Sequence, residues 1–163
     1  MGLRYVSRFA TTHAKLLSYL RRKLRERGWS GEGEPDVEAL AVRFVELGYV
    51  DDAAFARAKS GSLSARGYGA RRIQQALTIA GVSEEDSEEA RLTADAAAVE
   101  AALRFAKRRR IGPYAERVAD PPAREKALAA MVRAGHSFGI ARVVVETAPG
   151  EEPDEELLDR FRS

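Results

Sequence analysis

The chain has 163 residues, of which 45% are hydrophobic and 32% are charged, and its net charge is +2. It contains no cysteine, which excludes disulfides and thiolate metal sites, and its two histidines, His13 and His136, have no partner at ligand spacing. No apolar run approaches the ~20 residues that a membrane span needs, and no signal-type apolar core follows the N-terminus. We therefore expect a cytoplasmic protein.

The small net charge hides an alternation of charge along the chain. Residues 1–30 hold eight Lys and Arg against one acid, whereas residues 31–55 hold one basic residue against seven acids. A basic excess returns at 56–73 and at 101–127. Three cationic segments separated by acidic ones are typical of a protein that lies along an extended polyanionic or mixed-charge partner. The alternative is that these segments are solvated faces that pair between neighbouring helices.

Helix is predicted nearly throughout, because alanine, leucine, glutamate and arginine dominate and apolar residues recur at spacings of three and four. Gly28 and Gly48 are stop signals for helix C-termini. In the first part of the chain the predicted helices are 3–10, about 12–27 with a cap at Thr11 or Thr12, and 36–48 with a cap at Asp36.

The pattern begins again at Asp51 and Asp52, whose carboxylates favour the N-terminal end of a helix dipole. Gly67, Tyr68 and Gly69 are predicted to form a turn. A helix over 70–80 follows, and Ser83 caps an acidic helix after it.

The third part of the chain follows the same pattern in a stretched form. Its predicted elements are a helix over 96–110, an irregular insert at 111–124, helices over 126–134 and 138–147, and a fraying acidic tail from 149. Aligning the turn at 67–69 with 137–139 pairs Tyr68 with Phe138 and Arg72 with Arg142. Tandem units of roughly 40–50 residues predict an all-α, quasi-linear array in which each unit packs on its neighbours.

No catalytic constellation is visible in the sequence. The serines lack a nucleophile-elbow context, and the glycines at 67–69 are too few for a phosphate loop and follow a helix. His13 and His136 are interpreted as a cap neighbour and a turn residue. We expect a protein that is not an enzyme and that uses no cofactor and no metal.

The basic segments supply the candidate contacts to a partner, because guanidinium groups bind phosphate or carboxylate in a bidentate fashion. Tyr19, Trp29, Tyr68 and Tyr114 lie close by in sequence and are candidates for stacking on bases, the alternative being packing between helices. The candidate partner- and nucleic-acid-binding residues are Arg21, Arg22, Lys23, Arg25, Arg27, Arg66, Arg71, Arg72, Lys107, Arg108, Arg109 and Arg110.

Three stretches of the chain resemble the RecX family of modulators of the RecA recombinase. They are LRRKLRERGW at 20–29, VRFVELGYVDDAAFARAKSGSLSARGYGARRIQQALTIAGV at 42–82 and, more weakly, KALAAMVRAGHSFGIARVVVE at 126–146. The most specific part is LGYVDD with Phe55, followed by RGYG with Arg72 and Ile73. The insert at 111–124 and the segment before Leu16 depart from the family pattern.

The resemblance implies an elongated array of three tandem three-helix repeats, which we place at 1–50, 51–95 and 96–148, before an acidic tail at 149–163. It implies binding in the groove of the RecA–DNA filament and inhibition of strand exchange and ATP hydrolysis, with a part in recombination, DNA repair and the SOS response. We expect a monomer, because the apolar stripes are short and repeat with the units. Single-stranded and double-stranded DNA are further expected ligands, and a membrane is not. The alternative is a freestanding helical DNA-binding module that does not depend on RecA.

Overall fold

The structure is a computed structural model that describes residues 2–8 and 10–161. Within these residues all regular structure is helical and no strand occurs, so the all-α prediction is confirmed. The elements are α1 (Gly2–Val6), α2 (His13–Arg27), α3 (Val37–Glu46), α4 (Asp52–Ala65), α5 (Ala70–Ile79), α6 (Glu84–Ala96), α7 (Ala98–Arg109), a 3-10 turn (Gly112–Tyr114), α8 (Pro121–Arg133), α9 (Phe138–Glu146) and α10 (Glu155–Asp159).

Short polar side chains begin the helices at the predicted positions. Each accepts a hydrogen bond from a backbone N–H in the first turn, which satisfies a donor that has no partner inside the helix. These capping residues are Thr12, Asp36, Asp51 and Ser83, with acceptor distances of 3.2, 2.8, 2.7 and 3.0 Å. The hydroxyl of Thr12 also donates to the carbonyl of Ala80 at 2.5 Å, which ties α2 to the end of α5.

In the described part of the chain, four helices end in the same glycine turn. In each, the glycine has a positive φ and donates to the carbonyl three residues earlier, while the next residue donates to the carbonyl five residues earlier. The acceptor residue at the start of each turn is a buried apolar side chain: Phe44, Leu63, Leu77 or Met131. The recurring unit of the sequence is therefore a helix that closes with this turn, and the glycines are Gly48, Gly67, Gly81 and Gly135.

The turns correct the predicted alignment of the second and third parts of the chain. Gly67 and Gly135 hold equivalent positions, so Tyr68 corresponds to His136 and not to Phe138. The predicted register was wrong by two residues, because it was based on matching aromatic and glycine residues. In the structure, equivalent positions are those that form the same helix-ending hydrogen bonds. In the observed register the buried Ile73 corresponds to the buried Ala141.

The described residues divide into two compact units, one made of 2–8, 10–58 and 77–87 and the other of 59–76 and 88–161. The first has a small core of Leu16, Leu20, Ala41, Phe44 and Val50. The second has a larger core that includes Val99, Phe105, Met131, Ile140, Val144 and Leu158. The predicted three repeats and the predicted elongation stay predictions.

The insert is more regular than the predicted loop at 111–124. It begins with the 3-10 turn, and α8 starts at Pro121 instead of residue 126. Asp120 caps α8 by accepting from the N–H of Ala123 at 2.9 Å. Proline suits the first helical position, because its missing N–H would have no partner there.

Two predicted ends also differ from the structure. The first helix stops at Val6 instead of residue 10, with the hydroxyl of Ser7 donating to the carbonyl of Arg4 at 3.2 Å; Phe9 lies outside the described residues. The acidic tail does not simply fray. It forms α10, in which Asp154 caps the helix and Leu158 is 3% exposed in the core of the second unit.

Candidate partner-binding surfaces

The first basic cluster (Arg21, Arg22, Lys23, Arg25 and Arg27) lies in the C-terminal half of α2. Its four arginines are exposed, whereas Lys23, one helical turn after the buried Leu20, is half-buried. Arg21 donates to Glu38 through Nε at 3.1 Å, and this bond is the main reason that the pKa of Glu38 is lowered.

Glu26 holds two further cations of the first basic cluster. It accepts a hydrogen bond from Lys23, which lowers the pKa of Glu26, and its carboxylate lies 3.7 Å from Nε of Arg22. Three of the five cations are thus paired on the surface, but only the pair of Arg21 with Glu38 joins neighbouring helices, as the solvated-face alternative expects. Arg25 and Arg27 are exposed, and within the described residues no carboxylate oxygen lies within 4.0 Å of either.

The second basic cluster (Arg66, Arg71 and Arg72) and the third basic cluster (Lys107, Arg108, Arg109 and Arg110) meet in the second unit. Nη1 of Arg108 donates to the carbonyl of Arg66 at 2.7 Å, and Nη1 of Arg104 donates to the carbonyl of Ser64 at 3.1 Å. These carbonyls lie at the C-terminal end of α4, beyond the reach of the helix's own N–H groups, and that of Ser64 also accepts from the N–H of Gly67 at 2.8 Å. Two guanidinium groups one turn apart on α7 therefore cap α4, a role that the sequence did not reveal.

Arg71 and Arg72 are positioned by backbone contacts between two turns. The N–H of Gly69 donates to the carbonyl of Ala134 at 2.9 Å, and the N–H of Arg71 donates to the carbonyl of Gly135 at 3.2 Å. Both arginine side chains stay exposed; that of Arg72 donates to the side-chain oxygen of Gln75 at 2.9 Å. The guanidinium of Arg71 has no carboxylate oxygen within 4.0 Å in the described part of the chain.

The candidate stacking residues mostly pack inside the units. Tyr19 stacks on Tyr5 with ring centroids 4.1 Å apart, and Tyr114 packs against the core of the second unit. The guanidinium of Arg66 lies 5.2 Å from the ring centre of Tyr68. Trp29 differs, since it is 55% exposed and its indole N–H donates to the carbonyl of Gly33 at 3.0 Å.

The insert folds over the end of the third basic cluster and forms a cleft of about 360 Å³, called here the insert cleft. Its rim carries Arg109, Arg110, Arg117, Arg124 and Lys126, whereas Glu146 is the single acid among the lining residues. Arg117, Arg124 and Lys126 were not among the predicted site residues. The basic excess at 101–127 was the available signal, but the sequence did not show that the insert turns back toward Arg110.

His136 is buried, at 2% exposure, and its Nε2 lies 3.0 Å from the carbonyl of Gly67. A carbonyl can only accept, so Nε2 carries the hydrogen and Nδ1 is the unprotonated nitrogen. Burial lowers the pKa of His136 and keeps it neutral. The prediction of a turn residue was correct in position, but the side chain lies in the interior.

His13 is a cap neighbour, as predicted. It follows the capping Thr12, and its N–H donates to Oδ1 of Asp52 at 2.8 Å; burial raises the pKa of Asp52. The described residues contain no group of three or more His, Asp or Glu placed to hold a metal ion. In the same part of the chain, none of the helices has the length and apolar character needed to cross a membrane.

Comparison with known proteins identifies the family. The description of the family model that matches residues 51–90 is the second three-helix domain of RecX. The regulatory protein RecX of Myxococcus xanthus (strain DK1622) is 35% identical over 159 aligned residues, covering 91% of this chain and 83% of that protein. The chain belongs to the RecX family.

Two further RecX proteins are similar to this chain. The regulatory protein RecX of Agrobacterium fabrum (strain C58 / ATCC 33970) is 34% identical over 158 residues, covering 91% of this chain and 80% of that protein. That of Thermus thermophilus is 41% identical over 71 residues, which is 44% of this chain and 49% of that protein. The resemblance seen in the sequence is therefore confirmed at the level of the family.

Proposed function

We propose that this protein modulates a RecA-type recombinase by binding along the groove of its filament on DNA, and that it inhibits strand exchange and ATP hydrolysis. The observation that supports this most directly is the likeness to a regulatory protein RecX over 91% of the chain. On this proposal the protein acts by binding and performs no reaction of its own.

The charge of the surface supports a polyanionic or mixed-charge partner. Arg25 and Arg27 in the first basic cluster, Arg71 in the second and Lys107 in the third are exposed and have no ion-pair partner among the described residues. Cations without a carboxylate neighbour keep their full capacity to bind phosphate and to release its counterions. The paired cations of the first cluster are less suited to this role.

The central experiment adds the purified protein to RecA filaments on single-stranded DNA and follows ATP turnover and filament length. We expect turnover by RecA to fall as the protein is added, and we expect no ATP hydrolysis by the protein alone. If saturating protein left both turnover and filament length unchanged, the modulator proposal would be wrong.

A charge-reversal pair tests the second basic cluster. Arg71→Glu with Arg72→Glu should weaken binding to the filament and reduce its salt dependence, because fewer counterions are released on binding. The matched control is Lys59→Glu with Arg133→Glu, two exposed cations of the same unit that lie outside the clusters and have no ion-pair partner among the described residues. Equal loss of binding in both variants would point to net charge alone and would contradict a localised contact.

The first basic cluster offers a comparison within one helix. Arg25→Glu with Arg27→Glu should weaken binding more than Arg21→Glu with Arg22→Glu, because the second pair is already engaged with Glu38 and Glu26. Circular dichroism would establish that both variants keep their helix content. A larger effect from the Arg21 and Arg22 pair would contradict the assignment of Arg25 and Arg27.

The second candidate is a DNA-binding module that does not depend on RecA, and the free cations favour it equally. The two functions separate when binding to DNA is measured with and without RecA at one salt concentration. Modulation predicts a response of RecA turnover at protein concentrations that leave bare DNA largely unbound. Binding to bare DNA with no effect on RecA filaments would support the alternative.

A further inference from the structure

We propose that the insert cleft binds an acidic peptide segment of a partner protein, a segment in which an aliphatic side chain is flanked by Asp or Glu. The cleft lies entirely within the second unit and is built by the insert and α8 together with the ends of α7 and α9. The proposal depends on the cleft alone and does not require that the partner be RecA.

The rim of the cleft is complementary to carboxylates. Five cations line it, and its single acid, Glu146, lies 3.7 Å from Nε of Arg142, which partly neutralises it. Arg110 is held by Glu116 at 2.6 Å. The guanidinium of Arg109 lies over the ring of Phe105. The three remaining lining cations have no ion pair or ring contact within the described residues: Arg117, Arg124 and Lys126. Guanidinium groups in this state are available for bidentate bonds to carboxylates.

The floor of the cleft favours an aliphatic anchor over a nucleobase. It consists of small and branched apolar side chains that are buried or half-buried, among them Ile111, Ala119, Ala127, Ala130 and Val145. No aromatic side chain is among the lining residues, so a base would have no ring on which to stack. The volume of about 360 Å³ is near the lower end of ligand pockets, which is room for one or two side chains of a peptide.

The acidic tail of the same chain packs its buried leucine into the core of the second unit. The N–H of Gly150 donates to the carbonyl of Pro113 at 2.9 Å, and Leu158, the buried apolar side chain of the tail, is 3% exposed in the core. Of the tail, Pro149 lines the cleft, and the chain beyond it is anchored through Leu158 in the core. We therefore assign the bound segment to another chain.

The probe is a short fluorescent peptide in which leucine is flanked by aspartate and glutamate, and its binding is followed by fluorescence anisotropy. Arg117→Glu with Arg124→Glu should weaken its affinity about tenfold or more, because charge-assisted hydrogen bonds to carboxylates are lost. The matched control is Lys59→Glu with Arg133→Glu, two exposed cations that do not line the cleft, which should leave the affinity within about twofold.

A second pair of variants tests the apolar floor without a change of charge. Ala123→Trp places a large side chain into the cleft from an exposed position of α8, so it should block the probe and preserve the fold. Ala129→Trp is exposed on the same helix but does not line the cleft, and it should bind the probe normally. A peptide with alanine in place of leucine should bind more weakly than the probe.

Three outcomes would overturn the proposal. The first is peptide binding that neither Ala123→Trp nor the Arg117 and Arg124 reversal affects. The second is a single-stranded oligonucleotide that binds the cleft in place of the peptide and is blocked by Ala123→Trp. The third is self-association of the protein that Ala123→Trp abolishes, which would make a second copy of this chain the occupant. A failed effect on RecA filaments would contradict the proposed function and leave these measurements unchanged.

Discussion

His136 and Gly67 hold two helix-ending turns together: Nε2 of His136 donates to the carbonyl of Gly67 at 3.0 Å. The two residues lie in equivalent turns of the second unit, one after α4 and the other after α8. The contact is reinforced by the backbone bond from Gly69 to Ala134 at 2.9 Å. The turns that repeat along the sequence thus also pack against each other, through backbone groups and one buried imidazole.

The neutral state of His136 predicts how stability depends on pH. Burial lowers the pKa of His136 in the folded state, whereas the unfolded chain has the ordinary value of about 6.5. The unfolded state therefore binds more protons below about pH 6.5, and the free energy of unfolding should fall there by at most about 1.4 kcal/mol per pH unit. Above that pH this contribution should be constant. Urea unfolding at several pH values would measure it.

The control is His136→Gln, which keeps a donor for the carbonyl of Gly67 and does not titrate. Carboxylates titrate in both proteins, so the quantity to compare is the difference between the two pH profiles. We expect the difference in the free energy of unfolding between the unsubstituted protein and His136→Gln to change between about pH 6.5 and pH 5. Parallel profiles over that range would contradict a neutral buried imidazole.

The packing of the two turns requires glycine at position 135. Gly135 has φ of 97°, and a Cβ there would lie 2.4 Å from the backbone nitrogen of Arg72. Gly135→Ala should therefore reduce the free energy of unfolding by about 2–4 kcal/mol, through backbone strain and overlap. Chemical denaturation would show it. Gly61→Ala is the control, since Gly61 lies inside α4 with nothing within 4 Å, and it should stabilise the protein by about 0.5–1 kcal/mol.

Helix starts could be predicted from the sequence because capping is local. Asp36, Asp51 and Ser83 each bond to an N–H three residues later, so a short window of sequence contains both partners. Gly48 was correctly predicted to end a helix for the same reason. The all-α class follows from such local signals together with the apolar spacing.

The contacts that arrange the basic residues are not local, and the sequence did not show them. Arg108 bonds to the carbonyl of Arg66 and Arg104 to that of Ser64, across forty or more positions of the chain. The alignment of Tyr68 with Phe138 failed because side-chain similarity does not report which carbonyl a turn uses. The insert cleft depends on how 111–124 folds back, which no pattern in that segment encodes.

The caps on α4 make Arg104 and Arg108 structural as well as surface residues. Arg108→Ala should reduce the free energy of unfolding by about 0.5–1.5 kcal/mol, since it leaves the carbonyl of Arg66 without its donor. Arg104→Ala should have a smaller effect, because the carbonyl of Ser64 still accepts from the N–H of Gly67 at 2.8 Å. Lys107→Ala is the control on the same helix, exposed and without an ion-pair partner in the described residues, and its effect should stay within about 0.5 kcal/mol. Thermal or urea unfolding would rank the three variants. Equal stability of all three would show that the two bonds contribute nothing.

Arg110 ends α7 in the conformation that glycine adopts at the four other helix ends of this type in the described residues. The φ of Arg110 is 54°. The N–H of Arg110 donates to the carbonyl of Lys107 at 3.3 Å, and the N–H of Ile111 donates to the carbonyl of Ala106 at 2.9 Å. A left-handed conformation costs a residue with a Cβ about 1–2 kcal/mol, and glycine loses about 0.5–1 kcal/mol in backbone entropy. Arg110→Gly should therefore stabilise the fold by up to about 1 kcal/mol.

Two controls separate the backbone effect from the loss of the side chain. Glu116→Gln removes the exposed ion pair with Arg110 alone and should change stability by less than about 1 kcal/mol. Arg109→Gly makes the same substitution one residue earlier, within α7, where glycine should destabilise by about 1 kcal/mol. The opposite signs expected at neighbouring positions are the decisive readout in urea unfolding. Destabilisation of similar size at both would mean that Arg110 does not adopt the left-handed conformation, and the helix would then continue past it toward the insert cleft.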